Sequence, residues 1–296
     1  MSVSEIAVLG GLLVAVVIAV GVAFRMKLYR AEPPARVVQT GPEPPARRRL
    51  TLLRRDPLAL LLVAVFITLY VAQILGARSS IGLLGLEMRE DSALRDAGLI
   101  ALGAYTGAML GVFFCSFVLR DLGALLVNGL VPKRIVKDLG VGLGWFVLVM
   151  PIIMAVAFVS TQIVTLVTQT PPEALGHETL GLLASGQGPW WAWWLTVGAV
   201  TIGAPVIEEV LYRGCLQSCV RRFLKGWGAI ILTSLLFALI HYNVAAIRTL
   251  PALFALSLAM GLVYERTGRL MPCIVVHALF NATNVLVATQ ISSGSA

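Results

Sequence analysis

Charge is scarce in this sequence. Only 13% of its 296 residues are Asp, Glu, Lys or Arg, about half the roughly 25% of an ordinary soluble domain. A surface that poor in ions does not suit a water-soluble globule, so the soluble classes are excluded first. Histidine is scarcer still, with three residues. The four cysteines, Cys115, Cys215, Cys219 and Cys273, lie in or beside apolar runs. They form neither a disulfide framework nor paired CxxC zinc spacing and read as small buried hydrophobes. No HExxH segment occurs, the usual helix-borne arrangement of zinc peptidases. Long internal repeats are also missing, which counts against the inverted-repeat transporters, and no KDEL-type retrieval signal is present.

What is abundant is apolar: 58% of the residues, with a mean hydropathy of +0.89. The net charge of +8 and pI near 9.7 would suggest nucleic acid in a soluble chain. Here the basic residues gather in short segments between apolar runs, as positive-inside topology requires. Membrane lipid is therefore the expected partner, and nucleic acid is not. About 20 mostly apolar residues span a bilayer, and eight runs qualify: Ile6 to Phe24, Leu58 to Leu75, Leu99 to Leu119, Leu139 to Val159, Trp190 to Leu211, Trp227 to His241, Pro251 to Tyr264 and Met271 to Thr289. Two of them, Trp227 to His241 and Pro251 to Tyr264, are short and must extend, tilt or line a cavity.

The expected fold is all-α, a polytopic membrane helix bundle of about eight transmembrane helices. Glu5 precedes the first run, basic residues follow it and no small-residue cleavage site ends it, so it reads as an anchor. An outside N-terminus assigns all 23 lysines and arginines except Arg78, Arg89, Arg95 and Arg248 to cytoplasmic segments. Both termini are accordingly expected outside. Trp190, Trp191, Trp193 and Trp194 fall where the fifth run enters, matching the interfacial preference of indole. The short loops suggest a bacterial inner membrane.

Three regions follow. Residues 1–57 hold the anchor and a linker in which Glu32-Pro33-Pro34-Ala35-Arg36 recurs as Glu43-Pro44-Pro45-Ala46-Arg47, followed by Arg48, Arg49, Arg54 and Arg55. That stretch reads as a polyproline-like or disordered segment. Residues 58–189 hold helices two to four and carry no motif. Residues 190–289 hold the chemistry.

The fifth run contains Glu208 and Glu209, two adjacent carboxylates that need partners in or beside hydrocarbon. Arg213, four residues on, shares a helical face with Glu209, while Glu208 points about 100° away. One glutamate looks structural and the other chemical, although both could simply end the span with Arg213 snorkelling. The sixth run ends in Phe237 and His241, four apart, and the eighth offers His277 and Asn281, again four apart on one face. His177 lies in a loop. Each pair alone is also what interhelical hydrogen bonding would use. A carboxylate, two imidazoles and a carboxamide on three helices are, together, the parts that activate a water and hold an oxyanion.

These elements, Glu-Glu-x-x-x-Arg, Phe-x-x-x-His and His-x-x-x-Asn in that order, resemble the CAAX prenyl protease and bacteriocin-processing family, the Abi superfamily of intramembrane peptidases. The resemblance covers roughly Trp190 to Thr289. It implies an endopeptidase acting on a membrane-associated, hydrophobic or lipid-modified peptide. Glu208 would be the general base, His241 would hold the water or the scissile carbonyl, and His277 with Asn281 would form the oxyanion site. Glu209, Arg213 and Phe237 would support them. A metal-free mechanism without cofactor is expected, with zinc on Glu208, His241 and His277 as the alternative.

Cys273, four residues before His277, is not expected to be a nucleophile, and Cys215 and Cys219 are expected to face the bilayer. A non-catalytic scaffold or immunity protein, or a proton-coupled transporter, stands as the competing class. One tension remains: His241 lies about 21 Å along its helix from Trp227, whereas Glu208 is near the cytoplasmic end of its run. Either Cys215 to Leu224 dips into the membrane, or the fifth helix continues past Arg213.

Overall fold

The computed structural model describes residues 3–27, 57–118, 134–169 and 177–294. The Pro/Arg-rich linker with its repeated motif lies outside them. The described chain forms α1 (Val3–Arg25), α2 (Pro57–Leu84), α3 (Ala93–Val118), α4 (Ile135–Thr168), α5 (Glu178–Ser185), α6 (Trp190–Val220), α7 (Gly226–Ile240), α8 (Leu250–Thr267) and α9 (Leu270–Gly294). No strand accompanies them among the described residues, and seven of these helices are long and apolar enough to cross a membrane. Gly10–Arg25 of α1 is a shorter apolar helix. The protein is an all-α, multi-pass integral membrane protein. Side chains such as Phe113, Val136 and Leu166 stand exposed on its outer surface, as a lipid-facing surface allows.

Several helices outrun their apolar runs. α2 continues through Arg78 and Ser80 to Leu84, and α4 has 34 residues, about 51 Å at 1.5 Å per residue, well beyond the roughly 30 Å hydrocarbon core. Its surplus carries side-chain work. Near one end Arg269 Nε donates to Asp138 at 2.8 Å, and toward the other Ser160 Oγ donates to the Arg248 carbonyl at 2.7 Å. α4 is thus tied to the residues just before and just after α8.

The depth problem has a plain answer: α6 runs on past Arg213 to Val220. Glu208 is then twelve residues from the end of its helix, about 18 Å, comparable to the depth of His241. A second outcome concerns cysteine. Cys215 and Cys219 are buried inside the bundle instead of facing the bilayer, because α2 packs over them and Cys219 Sγ donates to the Ala59 carbonyl at 3.6 Å.

α2 and α3 meet through small residues. Ala72, Gly76 and Ser80 on α2 face Gly103, Gly107 and Gly111 on α3, and a Cβ added to Gly76, Gly103 or Gly107 would collide with backbone or with Ser80. Lipid tails compete with apolar side chains for helix surfaces, so close backbone approach of this kind is what draws helices together in membranes. One core joins these helices to the motif-bearing ones, running from Leu62 and Leu69 through Ile207 and Phe237 to Cys273 and Phe280. Gly107→Leu should force α2 and α3 apart at a cost of about 1–3 kcal/mol. A thermal unfolding midpoint in detergent equal to wild type would contradict this contact.

Candidate active site

α6 is not a uniform helix. It is π-helical over Ala199–Gly203 and again over Val210–Gln217, with an α-helical stretch, Ala204–Glu209, between them. The first π turn has a readable cause. The Ala204 N–H bonds to Ala199 O, five residues back, so the Val200 carbonyl would look to residue 205, which is Pro205 and has no N–H. The orphaned carbonyl takes a hydrogen bond from Asn281 Nδ2 at 2.8 Å instead. One donor of the Asn281 carboxamide is therefore committed to holding α9 against α6, and its second N–H is left for other work.

The α-helical stretch carries the two glutamates. Glu209 is fully buried, and its Oε1 accepts from Arg213 at 3.1 Å and from His277 Nδ1 at 3.0 Å. Arg213 also donates to the carbonyl and hydroxyl of Ser257, at 2.9 and 2.8 Å. Since an ionised carboxylate only accepts, His277 carries a proton on Nδ1. His241 sits on the single 3-10 turn that closes α7, and its Nδ1 donates to the Phe237 carbonyl at 2.7 Å. Both rings thereby turn Nε2 toward the same point, and each Nε2 is 3.9 Å from Oε2 of Glu208. That oxygen is buried and has no hydrogen-bond partner, although the Glu208 side chain as a whole keeps 19% of its surface exposed. The separation of the two glutamates by 100° on the helix is realised: Glu209 pairs through Oε1, while its buried Oε2 has no hydrogen-bond partner, and Glu208 is aimed at both imidazoles.

Phe237 is the wedge between these groups. Its ring is fully buried, with ring centroids of His241 at 4.8 Å, Tyr212 at 5.0 Å and His277 at 5.8 Å, and Arg213 Cζ at 5.2 Å over its face. The spacing of Phe237 four residues before His241 sets one ring against the other, tilted by 42°. Tyr105 of α3 and Tyr212 of α6 flank Glu208 within range of its charge. Sequence reading missed both, because Tyr105 stands in no motif and Tyr212 fills an unspecified position of Glu-Glu-x-x-x-Arg. Tyr105 has a faint signal in Gly203, where a Cβ would come within 2.8 Å of the Tyr105 ring.

Histidine 177, read as a loop residue, is brought to the same neighbourhood. It caps α5 by accepting from the Thr179 N–H on Nδ1, and its backbone bridges to Ala245 just beyond His241. α5 is thereby tied to the His241 turn, and its Leu183 carbonyl accepts from Trp193 Nε1 at 3.2 Å. Trp193 turns inward, while Trp190, Trp191 and Trp194 are exposed. Cys273 donates to backbone carbonyls of Met260 and Arg269, at 3.4 and 3.6 Å, away from the site.

The donor set of Glu208, His241 and His277 is of a type zinc accepts. As the side chains stand, however, the described residues contain no group of three or more His, Cys, Asp or Glu that could hold a metal ion.

The fold and site together define a polytopic membrane protein with a polar centre built from three helices. Residues 189–283 match the family model Rce1-like, type II CAAX prenyl endopeptidase. The match takes in all three motifs and about a third of the chain, and it bears out the resemblance read from them. No curated protein and no solved structure matches the chain.

The His177 side chain titrates below its usual 6.5, first because it is buried and second because His241 is near. Its unfolded form binds a proton more readily than its docked form, so docking is favoured above the usual histidine pKa and weakens as pH falls through it. Protonation would also remove the Nδ1 acceptor that caps α5. Limited proteolysis between residues 177 and 185 should accelerate from pH 7.5 to 5.5 by more than the protease's own pH dependence, and His177→Gln should flatten that difference. Phe237→Ala should cost about 3–5 kcal/mol of stability, read as a lowered unfolding midpoint. An unchanged midpoint would remove the wedge role.

Proposed function

We propose that this protein is an intramembrane endopeptidase that hydrolyses a peptide bond in a membrane-associated or lipid-modified peptide, with Glu208 as general base. The observation that carries the reading is the buried, partnerless Oε2 of Glu208, 3.9 Å from each of two imidazole Nε2 atoms. That distance is too long for direct hydrogen bonds and suits a bridging water.

In this reading the water donates one proton toward Glu208 and the other toward Nε2 of His241, which is unprotonated because Nδ1–H is committed to Phe237 O. Its oxygen attacks the scissile carbonyl carbon as Glu208 takes the proton. His277 acts as an imidazolium between two carboxylates, donating Nδ1–H to Glu209 and Nε2–H to the developing oxyanion. The free N–H of Asn281 reinforces that oxyanion site. When the tetrahedral intermediate collapses, the C–N bond breaks and Glu208 returns its proton to the leaving amine. Neither cofactor nor metal is invoked. The substrate is a peptide delivered from the bilayer, and a bacterial inner membrane with both termini outside is the proposed setting.

A second reading, a non-catalytic scaffold of the same fold, draws on one specific observation: Asn281, Glu209 and Arg213 are all engaged in contacts between or along helices. It leaves the orientation of Glu208 without a purpose. The two readings part on one assay, cleavage of a library of membrane-anchored and prenylated peptides by reconstituted protein. Glu208→Gln should lose about 10²- to 10⁴-fold in rate with folding retained, and chelator should leave wild-type cleavage unchanged. Cleavage that survives in Glu208→Gln would remove the base assignment, and cleavage abolished by chelator would move Glu208, His241 and His277 to a zinc role.

A further inference from the structure

The polar chemistry around Glu209 does not end at Arg213. Every fourth residue along α6 and just past its end is polar, Glu209, Arg213, Gln217 and Arg221, and Ser257, Gly261 and Glu265 answer from α8 at the same spacing, in two successive groups of bonds, Glu209–Arg213–Ser257 and Gln217–Gly261–Glu265–Arg221. Arg213 holds Ser257, as described. Gln217 Nε2 donates to the Gly261 carbonyl at 3.0 Å and to Glu265 Oε1 at 3.2 Å. Arg221 Nε donates to Glu265 Oε2 at 3.2 Å. Glu209, Arg213, Gln217, Ser257 and Glu265 are all buried, while Arg221 reaches the edge of the bundle.

Two features of the sequence make this ladder geometrically feasible. In a straight α-helix every fourth residue drifts about 40° around the axis, which would carry Arg221 off the face shared with Glu209. The wider π winding of Val210–Gln217 takes out that drift. On the facing helix Gly261 leaves room for the carboxamide, since a Cβ there would sit 3.1 Å from Gln217 Oε1 and 3.0 Å from Ile230 Cγ2. The ladder holds two carboxylates and two guanidiniums, so its buried charge balances. Arrangements of this cost are costly to break from either end, because the partner left behind is an uncompensated buried charge.

We propose that Gln217 and Glu265 are positioning residues of the His277 centre: they lock α6 in register with α8 so that Glu209 presents Oε1 to Nδ1 of His277. Neither residue touches the reacting atoms. Their effect reaches the site only through Glu209 and Arg213, which fix the rotation of the His277 ring and so the aim of its Nε2 at Glu208. The role of His277 in catalysis rests on the peptidase reading, but its orientation by the ladder does not.

The chain has only three histidines, so histidine-selective ¹⁵N NMR of the full protein in micelles gives a small set of ring resonances, assigned by substituting His177 and His241 singly. In the wild type His277 should show an Nδ1–H resonance displaced by its hydrogen bond to Glu209. Glu265→Leu should shift its Nδ1 resonance toward that of a ring without this hydrogen bond and lower kcat about 10- to 100-fold at unchanged KM. Glu265→Gln, which keeps an acceptor for Gln217, should restore both. A His277 resonance unmoved in folded Glu265→Leu overturns the proposal, whatever the cleavage assay reports. Should Glu265→Leu fail to fold, Gln217→Met breaks the same contact from α6, and an unmoved resonance there overturns it equally. If the resonance shifts as expected while Glu208→Gln still cleaves, the ladder stands and the peptidase mechanism falls.

Discussion

A carboxylate and a guanidinium withdrawn from water within a bilayer protein must satisfy one another, and Glu209 and Arg213 do so at 3.1 Å with almost no exposed surface. Much of the site follows from that pair. Because Glu209 spends Oε1 on both Arg213 and His277, it orients an imidazole on another helix. Because Arg213 turns its other terminal nitrogen, Nη2, to Ser257, it ties α6 to α8. The pair gives Glu208 its freedom as well: with the neighbouring carboxylate neutralised, a second one can remain unpartnered beside two imidazoles.

Much of this is legible in the sequence. The apolar runs gave the helices, and the i, i+4 spacing separated a paired glutamate from a free one. Histidine scarcity drew notice to His241 and His277, which the structure brings to one oxygen. What escaped was non-local or irregular. His177 meets His241 only because residues 177–185 fold back across the bundle, a contact 64 positions apart with no periodic trace. Tyr105 comes from a helix without motifs. The continuation of α6 to Val220 was one of two alternatives raised by the mismatch in depth, and the charge of Arg213, which reads as a helix end, left the choice open.

The π turns show how a local backbone rule becomes a tertiary contact. Pro205 denies Val200 a main-chain donor, the carbonyl turns to Asn281, and α9 is drawn against α6 where His277 must meet Glu209. The spacing of His277 and Asn281, four residues apart on one face, thus serves two contacts with the same helix. Asn281 accordingly does the interhelical work that the sequence pattern also allowed, alongside the oxyanion role proposed for its second N–H.

The central claim is that two adjacent glutamates carry different burdens, Glu209 the architecture and Glu208 the chemistry. It is tested most directly by comparing the thermal unfolding midpoints of Glu208→Gln and Glu209→Gln, a measurement that needs no substrate. Loss of the Glu209 charge should break a buried pair worth about 3–5 kcal/mol and lower the midpoint by several degrees, whereas Glu208→Gln should match or exceed wild type because it removes an unpartnered buried charge. Equal destabilisation by the two substitutions would contradict the account, since Glu208 would then be as much a part of the scaffold as its neighbour.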